Sequence, residues 1–264
     1  MSAGGPPAEL EPTRRFSDRV EDYVRSRPDY PAAAIDFVVE EAALPPGATV
    51  VDVGSGTGLL ARPFLERGFR VVGVEPNGPM RAAGAQELAG FPRFRSVGGR
   101  AEATGLAEGI ADLVTAGQAF HWFDPEAARR EFARILRPGG GIALVWNERR
   151  TRGTSFLEGY EALLERHCPE YDAVRRRYAR PEDLRTIFGA GGWREGRFDH
   201  EQSFGWEGLA RRVLSSSYTP REGDPGRARL LSDLRALFDA GAGGGRVRFP
   251  YDTRVYVGGP ARDG

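Results

Sequence analysis

Residues 50–58 read Val50-Val51-Asp52-Val53-Gly54-Ser55-Gly56-Thr57-Gly58, an apolar run that holds one acid and is followed by three alternating glycines and an amphipathic stretch. That order specifies a strand, a tight turn and a helix. Glycine enters the positive-φ turn without strain and lets the backbone come close to a ligand, with amides exposed at the start of the helix. A chain organised around such a turn is an α/β protein whose ligands bind beyond the carboxyl ends of its strands.

The flanking sequence repeats the alternation. Strands are predicted at 49–53, 70–74, 94–97, 112–115 and 142–146, with helical stretches at 59–67, 79–88 and 125–136 between them. Gly68 closes the first of these helices, and Asp124 with Pro125 opens the third as an N-cap and a first-turn proline. Upstream, Phe16, Val20, Tyr23 and Val24 share one face of a helix over 16–27 that Pro28 stops, and 31–43 reads as a second helix. Beyond 150 the pattern loosens into helices over 151–195, with a boundary at Arg180-Pro181 and a glycine-rich break at 189–192. A strand at 198–204, helices at 208–218 and 227–240 and a last strand at 247–257 follow. Strands six and seven are expected to form an antiparallel edge on the parallel sheet. The expected organisation is a tail over 1–13, a lid and ligand-binding core over 14–150, a helical cap with closing strands over 151–257, and a tail over 258–264.

Composition narrows the chemistry. All 37 basic residues are arginine, so Schiff-base lysine chemistry and the Walker A phosphate loop, both of which need an amine, are excluded. The basic residues balance 37 acidic ones, and a formal charge of zero gives no field to collect nucleic acid or anionic lipid. Cys168 is the only cysteine, and His121, His167 and His200 lack the short spacing of a helical metal pair, so neither a disulfide nor a bound metal is expected. The first twelve residues have no apolar core and no run approaches the ~18 residues of a membrane span, so a soluble cytoplasmic protein is the expectation.

The dinucleotide fingerprint is G-x-G-x-x-G, whereas here position 59 is Leu and the spacing is G-x-G-x-G with an acid two residues ahead. This acid-x-Gly-x-Gly-x-Gly run resembles the first motif of the Rossmann-like, class I S-adenosylmethionine-dependent methyltransferases. Glu75 at the end of strand two matches the acid that in this family holds both ribose hydroxyls. Gly99-Arg100-Ala101-Glu102 resembles the segment that frames adenine, and Leu136-Arg137-Pro138-Gly139-Gly140 is typical of the stretch before strand five. The N-terminal FSDRVEDYVRSRPDYP and Gln118-Ala119-Phe120-His121-Trp122-Phe123 look like the small-molecule, type 11 subgroup that includes trans-aconitate methyltransferase-like proteins. The resemblance covers about 14–150. It implies a Rossmann-like seven-stranded, mostly parallel sheet with helices on both faces, an antiparallel last strand, an N-terminal lid helix and helical cap insertions.

The same resemblance implies S-adenosylmethionine as cofactor, held by Asp52, Gly54, Ser55, Gly56, Thr57, Gly58, Glu75, Pro76, Met80, Ala101, Glu102, Gln118 and Ala119. It implies methyl transfer to a small acceptor, with oxygen of a carboxylate or hydroxyl favoured, and a monomer or homodimer without nucleic-acid or membrane partners. The acceptor is expected against Tyr23, Arg27, Tyr30, His121, Trp122, Trp146 and Arg149, with Trp122 and Trp146 serving either as crevice wall or as core anchors. A carboxylate is already ionised at neutral pH and needs clamping, for which Arg27 or Arg149 is suited. A hydroxyl benefits from a base, and His121 is the candidate. Two other readings stay open: a methyltransferase fold that uses the cofactor for another step such as a cyclisation, and an NAD-dependent oxidoreductase.

Overall fold

The computed structural model describes residues 27–175 and 180–261; the predicted helix over 16–27, apart from Arg27, the tail over 1–13 and residues 262–264 lie outside them. The element order is α1 (Ala32–Glu41), β1 (Thr49–Val53), α2 (Ala61–Glu66), β2 (Arg70–Val74), α3 (Gly78–Glu87), β3 (Phe94–Val97), β4 (Ala111–Gly117), a 3-10 turn (Phe120–Trp122), α4 (Pro125–Ile135) and β5 (Leu136–Arg149). There follow α5 (Ser155–His167), α6 (Tyr171–Arg175), α7 (Pro181–Phe188), a 3-10 turn (Gly189–Gly191), β6 (Arg194–Phe204), α8 (Trp206–Leu214), α9 (Pro225–Gly241) and β7 (Val247–Gly258). Four helices of the described residues begin on side-chain caps, among them the predicted Asp124, and at α9 Asp224 accepts from the Gly226 amide. Asn77 accepts from the Met80 amide, Asp124 from the Ala127 amide and Thr154 from the Leu157 amide.

The seven strands form one sheet in the order β3-β2-β1-β4-β5-β7-β6. Strands β1 to β5 pair in parallel, and β7 alone runs against them, pairing antiparallel with both β5 and β6. The expected antiparallel edge with an antiparallel last strand is therefore found, and within it β6 follows the direction of the parallel core because it is inverted relative to β7, which is itself inverted. Strand β5 also begins earlier than expected. Leu136 pairs with Ala111 before the register shifts at Ala111/Leu113, so Arg137-Pro138-Gly139-Gly140 lies within the strand as an irregular entry. Helix α8 ends at Leu214, short of the predicted 218.

Apolar side chains alternate between the two faces of the sheet. Val51, Val53 and Val114 pack with Phe132 and Ile135 of α4 and Ile187 of α7, while Val50, Val71 and Leu113 pack with Ile35 of α1 and Phe64 of α2. A third cluster forms where the long strands β6 and β7 run past the parallel core. Phe204, Phe249 and Tyr251 meet α5, α8 and α9 there, through Tyr160, Leu209 and Leu234. This cap stands beside the carboxyl ends of β4 and β5. No helix of the described residues is long and apolar enough to cross a membrane.

Candidate functional site

The turn after β1 is held from behind by β2: the amides of Gly54 and Ser55 both donate to the Val74 carbonyl, at 2.8 and 3.2 Å. Gly54, Gly56 and Gly58 have φ of 69°, 54° and 85°, the region that side chains rarely enter. At Gly54 a close approach adds to this requirement, since a Cβ there would stand 2.6 Å from Cβ of Ala119. The segment that follows β4 thus rests directly on the glycine turn, which places Gln118 and Ala119 beside residues 54–58.

Glu75 follows β2 and is 8% exposed. Its Oε2 accepts the Gly56 amide at 2.9 Å and its Oε1 the Asn77 amide at 2.8 Å. Burial pushes the carboxyl up from the ordinary range, and the two amide donors act against that shift. Each oxygen accepts one backbone amide and keeps a further lone pair for a ligand hydroxyl. Met80 lies against the same turn, with its methyl carbon 3.3 Å from where a Cβ on Gly56 would be, and Pro76 is half-buried next to it.

Asp52 is 1% exposed, and Thr115 Oγ1 donates to its Oδ1 at 3.0 Å while Oδ2 accepts no hydrogen bond. Burial, and then the nearby charge of Glu75, raises its carboxyl to about 7. Thr57 Oγ1 and Gln118 Oε1 are likewise buried without a partner. Gln118 has φ of 51°, and of the described non-glycine residues only Ala43 shares that region with it. Its amide donates to the Val145 carbonyl and its Nε2 to the Asn147 carbonyl, both at 2.9 Å, so the strained residue is pinned to β5. These orphaned polar atoms gather beyond β1 and β4, where the strand order reverses and open α/β sheets take their ligands.

The other predicted residues are placed as follows. Ala101 is buried against the α4 and α7 face, and Glu102 accepts the Asp124 amide at 3.0 Å, which fastens the segment after β3 to the start of α4. His121 and Trp122 sit half-buried on the 3-10 turn after Ala119, with ring centroids 4.8 Å apart. The Tyr30 hydroxyl covers the end of β4, at 2.6 Å from where a Cβ on Gly117 would be. Tyr23 lies outside the described residues. Trp146 corrects the expectation of a crevice wall. It is fully buried and edge-on to Phe120 and Tyr256, because position 146 of β5 points to the α4 and α7 face.

Arg27 and Arg149 do meet, across a cavity of about 350 Å³ lined also by Gln118, Asn147, Tyr171, Arg212 and Tyr218. Arg149 donates to Glu161 Oε2 at 2.6 Å and to the Tyr171 hydroxyl at 3.1 Å, over the face of Tyr160. Arg27 donates to the Ser215 carbonyl at 3.1 Å. Asn147, whose Nδ2 donates to the Asp29 carbonyl and whose Oδ1 accepts from Thr253, fixes the N-terminal segment at the rim. Sequence reasoning missed Arg212 and, beside it, Tyr171 and Tyr251. Arg212 sits on an amphipathic helix, where arginine ordinarily faces water.

Residues 51–144 match the sequence profile of a family described as a methyltransferase domain. An uncharacterised methyltransferase of Mycobacterium tuberculosis is 39% identical over 176 residues, 65% of this chain and 66% of that protein, so the chain spans about two thirds of that relative's length. Another uncharacterised methyltransferase, from Schizosaccharomyces pombe, is 32% identical over 58% of this chain and 60% of its own. Among solved structures, a proposed type II methyltransferase from Anaeromyxobacter dehalogenans shares the fold with a TM-score of 0.58 at 24% identity, covering 88% of this chain and 97% of its own. A proposed methyltransferase from Anabaena variabilis, assigned to antibiotic biosynthesis, superposes with a TM-score of 0.59 at 20% identity over 88% and 98%.

Proposed function

We propose that this chain, whose residues 51–144 form a methyltransferase domain of the Rossmann-like class, uses S-adenosylmethionine to methylate an oxygen of a small-molecule acceptor. One observation carries the cofactor assignment. Asp52 Oδ2, Thr57 Oγ1 and Gln118 Oε1 are buried acceptors without partners, grouped around a glycine turn and beside the poised carboxylate of Glu75. Buried polar atoms left unpaired are costly, and a polar cationic ligand that meets them removes that cost.

These residues fit the group. Glu75 would take the ribose hydroxyls, the amides of the turn the amino-acid portion, and Asp52 with Gln118 the ammonium. The bound cofactor supplies a methyl group on a sulfonium, already activated for transfer. What remains for the protein is alignment and exclusion of water. The Phe120–Trp122 turn, Tyr30 and the helical cap close around the strand ends, so the acceptor would approach through the cavity that Gln118 shares with Arg149 and Arg212. For a hydroxyl acceptor His121, on the 3-10 turn after Ala119, would take the proton; a carboxylate acceptor would need no base.

Calorimetric titration with S-adenosylmethionine and, separately, NAD tests the cofactor. Micromolar binding of the first alone is expected, and binding of NAD alone would overturn the reading. Release of S-adenosylhomocysteine in a screen of small acids and phenols then tests transfer. Cofactor binding with consumption but no methylated product would instead indicate another use of the sulfonium.

A further inference from the structure

Arg212 belongs to α8 and is 7% exposed, yet no carboxylate of the described residues pairs with it. Its Nε donates to the Tyr251 hydroxyl at 3.4 Å and its Nη1 to Ser216 Oγ at 3.2 Å, both neutral acceptors at long range. Among the described residues none of its hydrogen bonds uses Nη2, and the side chain lines the cavity of about 350 Å³. The acids nearby are committed elsewhere. Glu161 is bound by Arg149 at 2.6 Å, and Glu148 faces Arg254 at 3.6 Å. The phenols offer no charge either, since burial raises both Tyr160 and Tyr171 well above their ordinary range. Among the described residues, then, the cavity holds a buried guanidinium with no carboxylate counter-charge. An isolated buried charge is expensive, and its planar donor fork matches a two-oxygen anion.

Resting on the methyltransferase reading of the same site, we propose that the acceptor carries an oxyanion group, a carboxylate, that Arg212 binds as its anchor. Arg149 and Arg27 border the anchored group, and Tyr171 and Tyr218, whose rings lie 5.0 Å apart, form an aromatic flank for its carbon body. Gln118 joins this cavity to the glycine turn, since the next residue, Ala119, abuts Gly54. The acceptor is thus a small acid held by its carboxylate in the cap, with its remaining atoms toward the strand ends. Arg212 is a binding residue, and the carboxylate is the handle by which the molecule is selected.

The test reads thermal stabilisation and calorimetric affinity of the full chain for benzoate, citrate, inorganic phosphate and phenyl phosphate, with benzamide as the neutral control and without cofactor. Carboxylates are expected to bind and to raise the melting temperature, benzamide to do neither, and Arg212→Gln to weaken carboxylate binding at least about ten-fold, as loss of a charge-assisted hydrogen bond does. Arg212→Lys keeps the charge but loses the fork, and a several-fold loss is expected there too. Should Arg212→Gln fail to fold, the lysine variant and the acid-to-amide contrast decide. Stronger binding of phosphate than of carboxylates would overturn the carboxylate assignment. Equal binding of benzamide, or unchanged carboxylate affinity in the folded variants, would overturn the anchor. S-adenosylhomocysteine binding is measured on the same samples. Its absence would refute the methyltransferase reading while leaving the anion result standing, and the converse holds.

Discussion

Thr115 on β4 donates to Oδ1 of Asp52 on β1 across 3.0 Å, and the other carboxylate oxygen of Asp52 accepts nothing. One neutral hydroxyl is meagre compensation for a carboxylate with 1% exposure. The carboxyl accordingly holds its proton to about 7, more than is usual for aspartate. Two neighbouring strands thus keep an under-compensated acid buried between them at a cost to the ligand-free fold.

The stability consequence has a definite sign. The unfolded chain releases this proton near 3.8 and the folded chain only near 7, so between those values the folded state binds more protons and stability falls as pH rises. Asp52→Asn should therefore stabilise the ligand-free protein at pH 8, on the order of 2 kcal/mol, and leave it unchanged below pH 4. Denaturant unfolding at the two pH values measures this. Cofactor affinity should move the other way in the unaltered protein, rising through pH 7 as the carboxylate ionises, and the asparagine variant should bind weakly and without that pH dependence.

Glu75 carries two loads that its variants separate. Glu75→Ala removes the acceptor for two backbone amides and the carboxylate proposed for the ribose, whereas Glu75→Gln keeps one acceptor oxygen. Cofactor affinity should fall by about 1.5–3 kcal/mol in either variant, as for a lost charged hydrogen bond. Unfolding free energy should fall markedly in the alanine variant only. Equal affinity in variant and parent by calorimetry would remove Glu75 from the ribose site.

Gly54 and Gly47 have nearly the same positive φ, 69° and 73°, but a Cβ on Gly47 meets nothing within 4 Å while one on Gly54 meets Ala119 at 2.6 Å. Gly47→Ala should cost about 1 kcal/mol, the conformational penalty alone. Gly54→Ala should cost that plus about 1–3 kcal/mol of overpacking, and should also lower cofactor affinity by displacing Gln118 and Ala119. Unfolding curves of the two variants isolate the steric part.

The parallel half of the sheet was legible because its strands are short apolar runs between residues with one local reading, such as Gly68 and the Asp124-Pro125 pair. The observed β1, β2 and β3 keep their predicted bounds. What local pattern does not encode is partner choice and depth. Nothing near residues 194–204 says that β6 will add beyond β7 instead of beside β5. Nor does any residue near Arg212 distinguish it from the other arginines, because its burial comes from Tyr251 on β7 and Ser216 beyond α8, the first of them distant in sequence. Trp146 fails for a related reason. It falls near the carboxyl end of β5, where a ligand is expected, but the strand's alternation turns it toward Phe120 and Tyr256.

That placement makes Trp146 a test of stability rather than of binding. Its indole nitrogen is buried without an acceptor, so the polar atom contributes nothing that phenylalanine would lose. Trp146→Phe should cost less than about 1.5 kcal/mol, since part of the volume lost is offset by removal of an unpaired N–H. Trp146→Ala should cost about 3–5 kcal/mol through the cavity it leaves among Phe120, Phe132 and Tyr256. In the phenylalanine variant KM for the acceptor should stay at the parental value. A large rise in KM with unchanged stability would return Trp146 to the acceptor wall, which a fully buried side chain reaches only if β5 rearranges.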